Sequence, residues 1–124
     1  MFTKRDLTDH IVKKSDGFRG YLEFMEFVWE KEDVYTILAE LSRYILKLYK
    51  EKKEEELKTI FKLIDNIFKD GDRYVKEAIT IGLLETLQNN ISWEKDANPE
   101  EFLIYLSDNL KNEWNNVINF WNND

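Results

Sequence analysis

The sequence contains no cysteine and a single histidine, His10, and these two absences remove much of the reactive chemistry open to proteins. Without cysteine there are no disulfides and no thiolate metal sites, which fits a reducing compartment. A zinc site needs three or four good ligands, and a hydrolytic triad needs a histidine beside a suitably exposed serine. No ligand cluster and no glycine-flanked serine accompanies His10, so we expect neither kind of site.

Glycine and proline are also scarce, with four residues and one residue respectively. The spacing of the glycines matches no phosphate-binding loop. The longest apolar run, Ala78 to Leu84, is interrupted by Thr80 and is too short to span a membrane. The N-terminus lacks the apolar stretch of a secretory signal. We therefore expect one domain, residues 1–124, in the cytoplasm, with no cofactor and no membrane contact.

Apolar residues recur at helical spacing along nearly the whole chain, and the alternation typical of β-strands is absent. Asp33, Asp72 and the pair Asn98-Pro99 are typical helix starts, and Gly71 suits a left-handed helix end. These patterns predict an all-α fold, a compact bundle of five to seven helices with antiparallel hairpins that could stack like a short solenoid. The predicted helices cover residues 3–14, 18–29, 33–50, 55–70, 73–90 and 99–122, with a break near Ser107.

The predicted helix 73–90 is apolar nearly all round, which indicates a central helix contacted from several sides. Glu85 lies on this helix, and a buried carboxylate must pair with a base or take up a proton. Arg43, on the predicted helix 33–50, is one candidate partner. We interpret Glu85 as a structural polar link or a half-exposed residue, because a lone glutamate without a second acid or a metal ligand supports little catalysis.

The last quarter of the chain carries most of the net charge. Residues 92–124 hold seven acids and two bases, a net charge of −5, whereas residues 1–91 hold 18 acids and 16 bases, a net charge of −2. Three of the four tryptophans also lie here: Trp93, Trp114 and Trp121. An acidic surface beside large aromatic residues suits a basic protein partner and repels nucleic acid and anionic membranes.

Two of these tryptophans are better explained as core residues. Trp114 and Trp121 share one helix face with Val117 and Ile118. Trp93 stands in an irregular stretch, where it either forms an exposed anchor or folds back onto the core. We predict that the partner-binding residues are Trp93, Glu94, Asp96, Glu100, Glu101 and Asp108, with the charged block 50–56 as the next place to look.

Two segments carry a resemblance to a known family. The run AITIGLLETLQNN (78–90), followed after a loop by WNNVINFW (114–121), resembles small all-helical bacterial proteins encoded beside polymorphic or contact-dependent growth inhibition toxins. The resemblance covers residues 18–122 and implies an immunity protein. Such a protein binds and neutralises the C-terminal domain of a toxin, often a nuclease. Both segments are packing motifs, so no binding residue is carried over.

Three functions therefore compete. The first is an immunity protein that occludes a basic toxin domain, and we favour it. The second is a helical adaptor for protein–protein interaction that is unrelated to toxins. The third is an enzyme that uses Glu85 and other acids, and it would require an enclosed pocket with converging carboxylates. Since the residue inventory lacks reactive groups, we expect no enzymatic activity.

Overall fold

The structure is a computed structural model that describes the backbone of residues 1–122 and the side chains of residues 1–119. This part of the chain is all-α, as predicted, with short 3₁₀-helices at Trp29–Lys31 and Pro99–Tyr105. None of its helices is long and apolar enough to cross a bilayer. The α-helices are α1 (Lys4–Lys14), α2 (Asp16–Phe24), α3 (Val34–Lys50), α4 (Glu54–Lys69), α5 (Arg73–Glu77), α6 (Thr86–Ser92) and α7 (Asp108–Asn122).

Helices α5 and α6 are joined by a π-helical segment, Ala78–Glu85, into one continuous helix (73–92) that we call the central helix. It packs against both α3 and α7, which confirms a central position with contacts on several sides. Gly82 permits the close approach of α3, because a Cβ at this position would lie 2.9 Å from Tyr35 and 3.0 Å from Leu38. The buried residues of the π segment are Ala78, Ile79, Gly82, Leu83 and Leu84.

The predicted helix starts are confirmed by their hydrogen bonds. The Asp33 carboxylate accepts from the backbone N–H of Thr36 at 2.8 Å, and Asp72 accepts from Val75 at 2.9 Å. These side chains satisfy backbone donors that have no partner within the helix. Hydrogen bonds from the backbone and the side chain of Thr36 also hold the pKa of Asp33 below its ordinary value.

Two helix ends differ from the prediction. Helix α2 ends at Phe24, whereas the apolar spacing predicted a helix through Trp29. Gly71 does not have positive φ; among residues 1–122 the ones that do are Glu26, at 57°, and Lys52, at 59°. Each follows the end of a helix as the left-handed residue of a Schellman motif, a hydrogen-bonded turn that reverses the chain.

The hydrogen bonds of these two turns match each other. After α2, Phe27 N–H donates to the Leu22 carbonyl at 2.9 Å and Glu26 N–H to the Glu23 carbonyl at 3.0 Å. After α3, the equivalent bonds run from Lys53 to Leu48 at 2.9 Å and from Lys52 to Tyr49 at 3.1 Å. We call them the Glu26 turn and the Lys52 turn. Both place a side chain where glycine is usual, which strains the backbone.

Gly71 has a different role from the predicted helix cap. Phe2 N–H donates to the Asp70 carbonyl at 2.7 Å, and Asp72 N–H donates to the Phe2 carbonyl at 2.8 Å, so the first residues lie along this turn. A Cβ on Gly71 would approach the Val75 Cγ1 to 2.5 Å. Glycine is needed here because the Val75 side chain packs directly against the backbone of Gly71.

Of the two C-terminal tryptophans predicted to lie in the core, the structure describes the side chain of Trp114. Trp114 is fully buried and its ring centroid lies 5.9 Å from that of Phe102, as expected for a core residue. The side chain of Trp121 lies outside the described residues, and so does Asp124, one of the seven acids of the last quarter.

Candidate functional site

Trp93 is an exposed aromatic residue at the end of the central helix. Its side chain is 83% exposed, which decides between the two interpretations of this tryptophan in favour of a surface position. The backbone around it is fixed, since Trp93 N–H donates to the Asn90 carbonyl at 3.2 Å and Glu94 N–H to the Ile91 carbonyl at 2.9 Å. A large ring held on an ordered helix end is suited to anchoring a partner.

An ion pair links the residue after Trp93 to the end of α3. Lys50 Nζ lies 2.8 Å from Glu94 Oε1, and both side chains are partly exposed. The pair separates two adjacent grooves, and both of its members line each of them. A pair this exposed contributes roughly 0–1 kcal/mol to stability, so its main effect here is on the shape and charge of the surface.

The larger groove has a volume of about 900 Å³ and lies between the end of α3, the start of α4 and the segment 94–105. Four acids line it against two lysines, an excess of two negative charges, and one of those lysines is paired with Glu94. Ile104, which is 78% exposed, forms part of its edge. Its polar lining consists of Lys50, Lys52, Glu54, Glu94, Asp96 and Glu101, besides two tyrosine hydroxyls.

Two tyrosines give this groove an aromatic wall. The ring of Tyr49 lies 4.7 Å from that of buried Phe102, and the ring of Tyr105 stacks on Phe61 at 6.0 Å. Burial, together with the nearby Glu101 carboxylate, raises the pKa of Tyr49, and burial and Glu54 do the same for Tyr105. Both hydroxyls therefore stay neutral at physiological pH, and the negative charge of the groove comes from its carboxylates.

The smaller groove, on the other side of the Lys50–Glu94 pair, has a volume of about 440 Å³ and includes Trp93. Its charged lining is different, with three bases and two acids. One of these acids, Glu51, pairs with Lys47 at 2.7 Å. Trp93 therefore lies in the groove of mixed charge, and the Lys50–Glu94 pair separates it from the groove of excess negative charge.

Four of the six predicted partner-binding residues come together in these grooves: Trp93, Glu94, Asp96 and Glu101. Asn98 caps the 3₁₀-helix that carries Glu101, accepting from Glu100 N–H at 2.9 Å, with Pro99 at its first position as predicted. Glu100 and Asp108 are exposed but line neither groove. The charged block 50–56, predicted separately, supplies Lys50, Lys52 and Glu54 to the same surface.

Glu85 does not form the pairing that the sequence suggested. Its side chain is half-buried, and Arg43 instead pairs with Glu40, a largely buried carboxylate on the same helix. Within the described part of the chain Glu85 forms no ion pair, and it lines neither groove. Among the described residues, Glu85 therefore has no basic partner that would link the central helix to α3.

Tyr49, Ile104 and Tyr105 were missed by the sequence analysis, although they form much of the groove. Tyr49 continues the apolar spacing of the predicted helix 33–50, and helical spacing does not separate a core position from a groove wall. The 3₁₀ geometry of Pro99–Tyr105 exposes Ile104, and no sequence pattern predicted that geometry.

The chemistry available at this site is recognition of positive charge. Carboxylates beside aromatic rings attract lysine and arginine side chains by Coulombic and cation–π interaction. In the described residues no group of three or more histidines, cysteines or acids is placed to hold a metal ion. The larger groove thus combines excess negative charge with two aromatic rings.

Comparison with known proteins gives a family and no function. No curated protein and no solved structure matches the chain significantly. One family of sequences matches residues 9–122, which is nearly the whole chain. The chain belongs to this family, described as a domain of unknown function (DUF7674).

Proposed function

We propose that this protein is an immunity protein that acts in the cytoplasm by binding and neutralising a basic toxin C-terminal domain, such as a nuclease. The observation that carries the proposal is the exposed Trp93 beside a groove with excess negative charge. The resemblance of segments 78–90 and 114–121 to immunity proteins agrees with it. A nuclease must hold phosphates, so its active-site surface is basic and complementary to such a groove.

The proposed mode of binding is occlusion. Trp93 would insert into the toxin surface, while Glu54, Asp96 and Glu101 would meet its lysines and arginines. Long-range attraction between the opposite charges would speed association, and burial of the tryptophan would slow dissociation. Inhibition of this kind needs no chemistry from the immunity protein itself.

The test is binding to the C-terminal domain of the toxin encoded beside this gene, measured by calorimetry together with protection of cells. Because the interface is ionic at its rim, we expect affinity to fall at least tenfold between about 0.05 and 0.5 M salt. Trp93→Ala should weaken binding by roughly 30-fold or more, as for a central aromatic anchor. Asp96→Lys with Glu101→Lys should weaken it mainly by slowing association.

Asp108→Lys is a matched control, because Asp108 is an exposed acid of the same quarter of the chain that lines neither groove. It should change affinity by less than about threefold. If the wild-type protein neither binds nor protects, the proposed function is wrong. If it binds and the Trp93 and groove variants bind equally well, the toxin binds elsewhere on the molecule.

A further inference from the structure

A second surface is formed where α2 ends. Phe24 is 90% exposed, and Val28 and Met25, within five positions of it, are 51% and 46% exposed. A single exposed apolar side chain is ordinary on a soluble protein. Three large ones in so short a segment form an apolar patch, which is typical of a surface that meets a partner.

These side chains are held in place by the packing of their neighbours. Phe18 and Leu22, on the opposite side of α2, are fully buried, and Phe27 is half-buried against the core. The Glu26 turn fixes the backbone between them through its two hydrogen bonds. The exposure of Phe24 is therefore a property of the folded chain, because burial of Phe18 and Leu22 fixes the side of α2 that faces the core.

The apolar patch is surrounded by acids. Residues 23–33 contain five acids and one base, Lys31, which gives this segment a net charge of −4. All five carboxylates are exposed, and none forms an ion pair with any residue in the described part of the chain. These acids are Glu23, Glu26, Glu30, Glu32 and Asp33.

The charge selects the kind of partner. A second copy of this chain would bring a net charge of −4 against the same charge, so self-association through this patch is disfavoured at neutral pH. We propose that residues 23–33 form a docking surface for a basic segment of another protein. Apolar side chains of that segment cover Phe24, Met25 and Val28, and its lysines or arginines pair with the surrounding carboxylates.

This surface is separate from the larger groove that the Lys50–Glu94 pair borders. Residues 23–33 lead into the N-terminus of α3, whereas Tyr49 and Lys50 bring the groove to its C-terminus. A helix of 17 residues spans about 25 Å, so the two surfaces lie toward opposite ends of α3. The inference goes beyond the proposed function, because an immunity protein and an adaptor could both use such a surface.

The test is an NMR titration of the ¹⁵N-labelled protein with a synthetic leucine–lysine peptide. Two comparison peptides carry glutamate in place of lysine, or serine in place of leucine. We expect the leucine–lysine peptide alone to shift the amides of residues 22–33. Phe24→Ala should weaken this binding about tenfold, as partial burial of one phenyl ring allows, without changing the fold. Glu23→Gln with Glu30→Gln should reduce its salt dependence, because these changes halve the net charge of residues 23–33 from −4 to −2.

Ile104→Ala is the matched control, because Ile104 is another highly exposed apolar residue and lies on the edge of the groove. It should leave the titration of residues 22–33 unchanged. Shifts centred on residues 93–105 and insensitive to Phe24→Ala would overturn the inference. Equal binding of the serine–lysine peptide, or a dimer in sedimentation that Phe24→Ala disperses, would overturn it as well.

Discussion

At the C-terminal end of α3, aromatic rings are packed against the core and lysines lie among the acids. Toward its N-terminal end, apolar side chains point into solvent and the acids form no ion pair within the described part of the chain. Tyr49 rests on Phe102, and Lys50 pairs with Glu94, whereas Phe24 is 90% exposed within a segment of net charge −4. Each end of α3 lies near the same kind of turn, in which a residue with left-handed backbone follows a helix. This residue is Glu26 after α2 and Lys52 after α3.

The comparison shows that the backbone geometry of a turn does not by itself determine the surface formed around it. The Glu26 and Lys52 turns have equivalent hydrogen bonds, yet the first exposes an apolar patch and the second leads into a groove with a packed aromatic wall. The segment after each turn decides the outcome. After Lys52, α4 folds back along α3 and Phe61 supports Tyr105, while the chain after Glu26 continues through the short 3₁₀-helix Trp29–Lys31 before α3.

The largest expected effect on stability is the difference between the alanine variants of two phenylalanines, Phe102 and Phe24. Phe102 is fully buried, with its ring centroid 5.9 Å from that of Trp114, so Phe102→Ala should lower the free energy of unfolding by about 3–5 kcal/mol. Phe24→Ala, at the other end, should change it by less than about 0.5 kcal/mol. Urea denaturation followed by tryptophan fluorescence and circular dichroism measures both values. Comparable losses for the two variants would show that the patch at Phe24 is covered in solution.

Much of the fold could be predicted from the sequence because its determinants are local or periodic. The caps at Asp33, Asp72 and Asn98 and the apolar spacing of α3 and α4 predicted these elements to within a few residues. The end of α2 was not predicted, since apolar spacing continues to Trp29 while the chain turns at Glu26. A left-handed glutamate has no sequence signature of the kind that glycine provides.

The site was predicted only in part, for a related reason. Charge imbalance and an unexplained Trp93 indicated the C-terminal quarter, and charge can be counted without a structure. Long-range packing decides which acids share a groove, and it joined Glu54 to Asp96 and Glu101 while leaving Asp108 outside. The pairing of Arg43 with Glu40 also depends on geometry along α3 that residue spacing alone left open.

A smaller effect is expected from the two left-handed residues. Glu26→Gly and Lys52→Gly should each relieve the strain of a side chain at positive φ, worth about 1–2 kcal/mol, against the greater entropy of glycine in the unfolded chain. The net gain in the free energy of unfolding should be roughly 0.5–1 kcal/mol each. Since the turns lie toward opposite ends of the 17-residue helix α3, the double variant should gain their sum to within about 0.5 kcal/mol.

The control for these two variants is glycine at an exposed position inside a helix, such as Lys62→Gly in α4. That substitution should destabilise by roughly 0.5–1 kcal/mol, because glycine has low helix propensity. A loss of stability in both turn variants would mean that the left-handed conformation is absent in solution. A gain at one turn alone would show that the two ends of α3 differ in backbone as well as in surface.

A small effect on stability is expected from the ion pair that divides the grooves. Lys50→Met should lower the free energy of unfolding by less than about 1 kcal/mol, because both partners are partly exposed. It also removes a positive charge from the larger groove, so a basic partner should associate roughly threefold faster at low salt. Lys69→Met is the matched control, since Lys69 pairs with Asp65 at the far end of α4 and the change in net charge is the same. If stopped-flow kinetics show equal acceleration for both variants, the overall charge of the protein governs association, and the groove beside Trp93 has no special part in steering it.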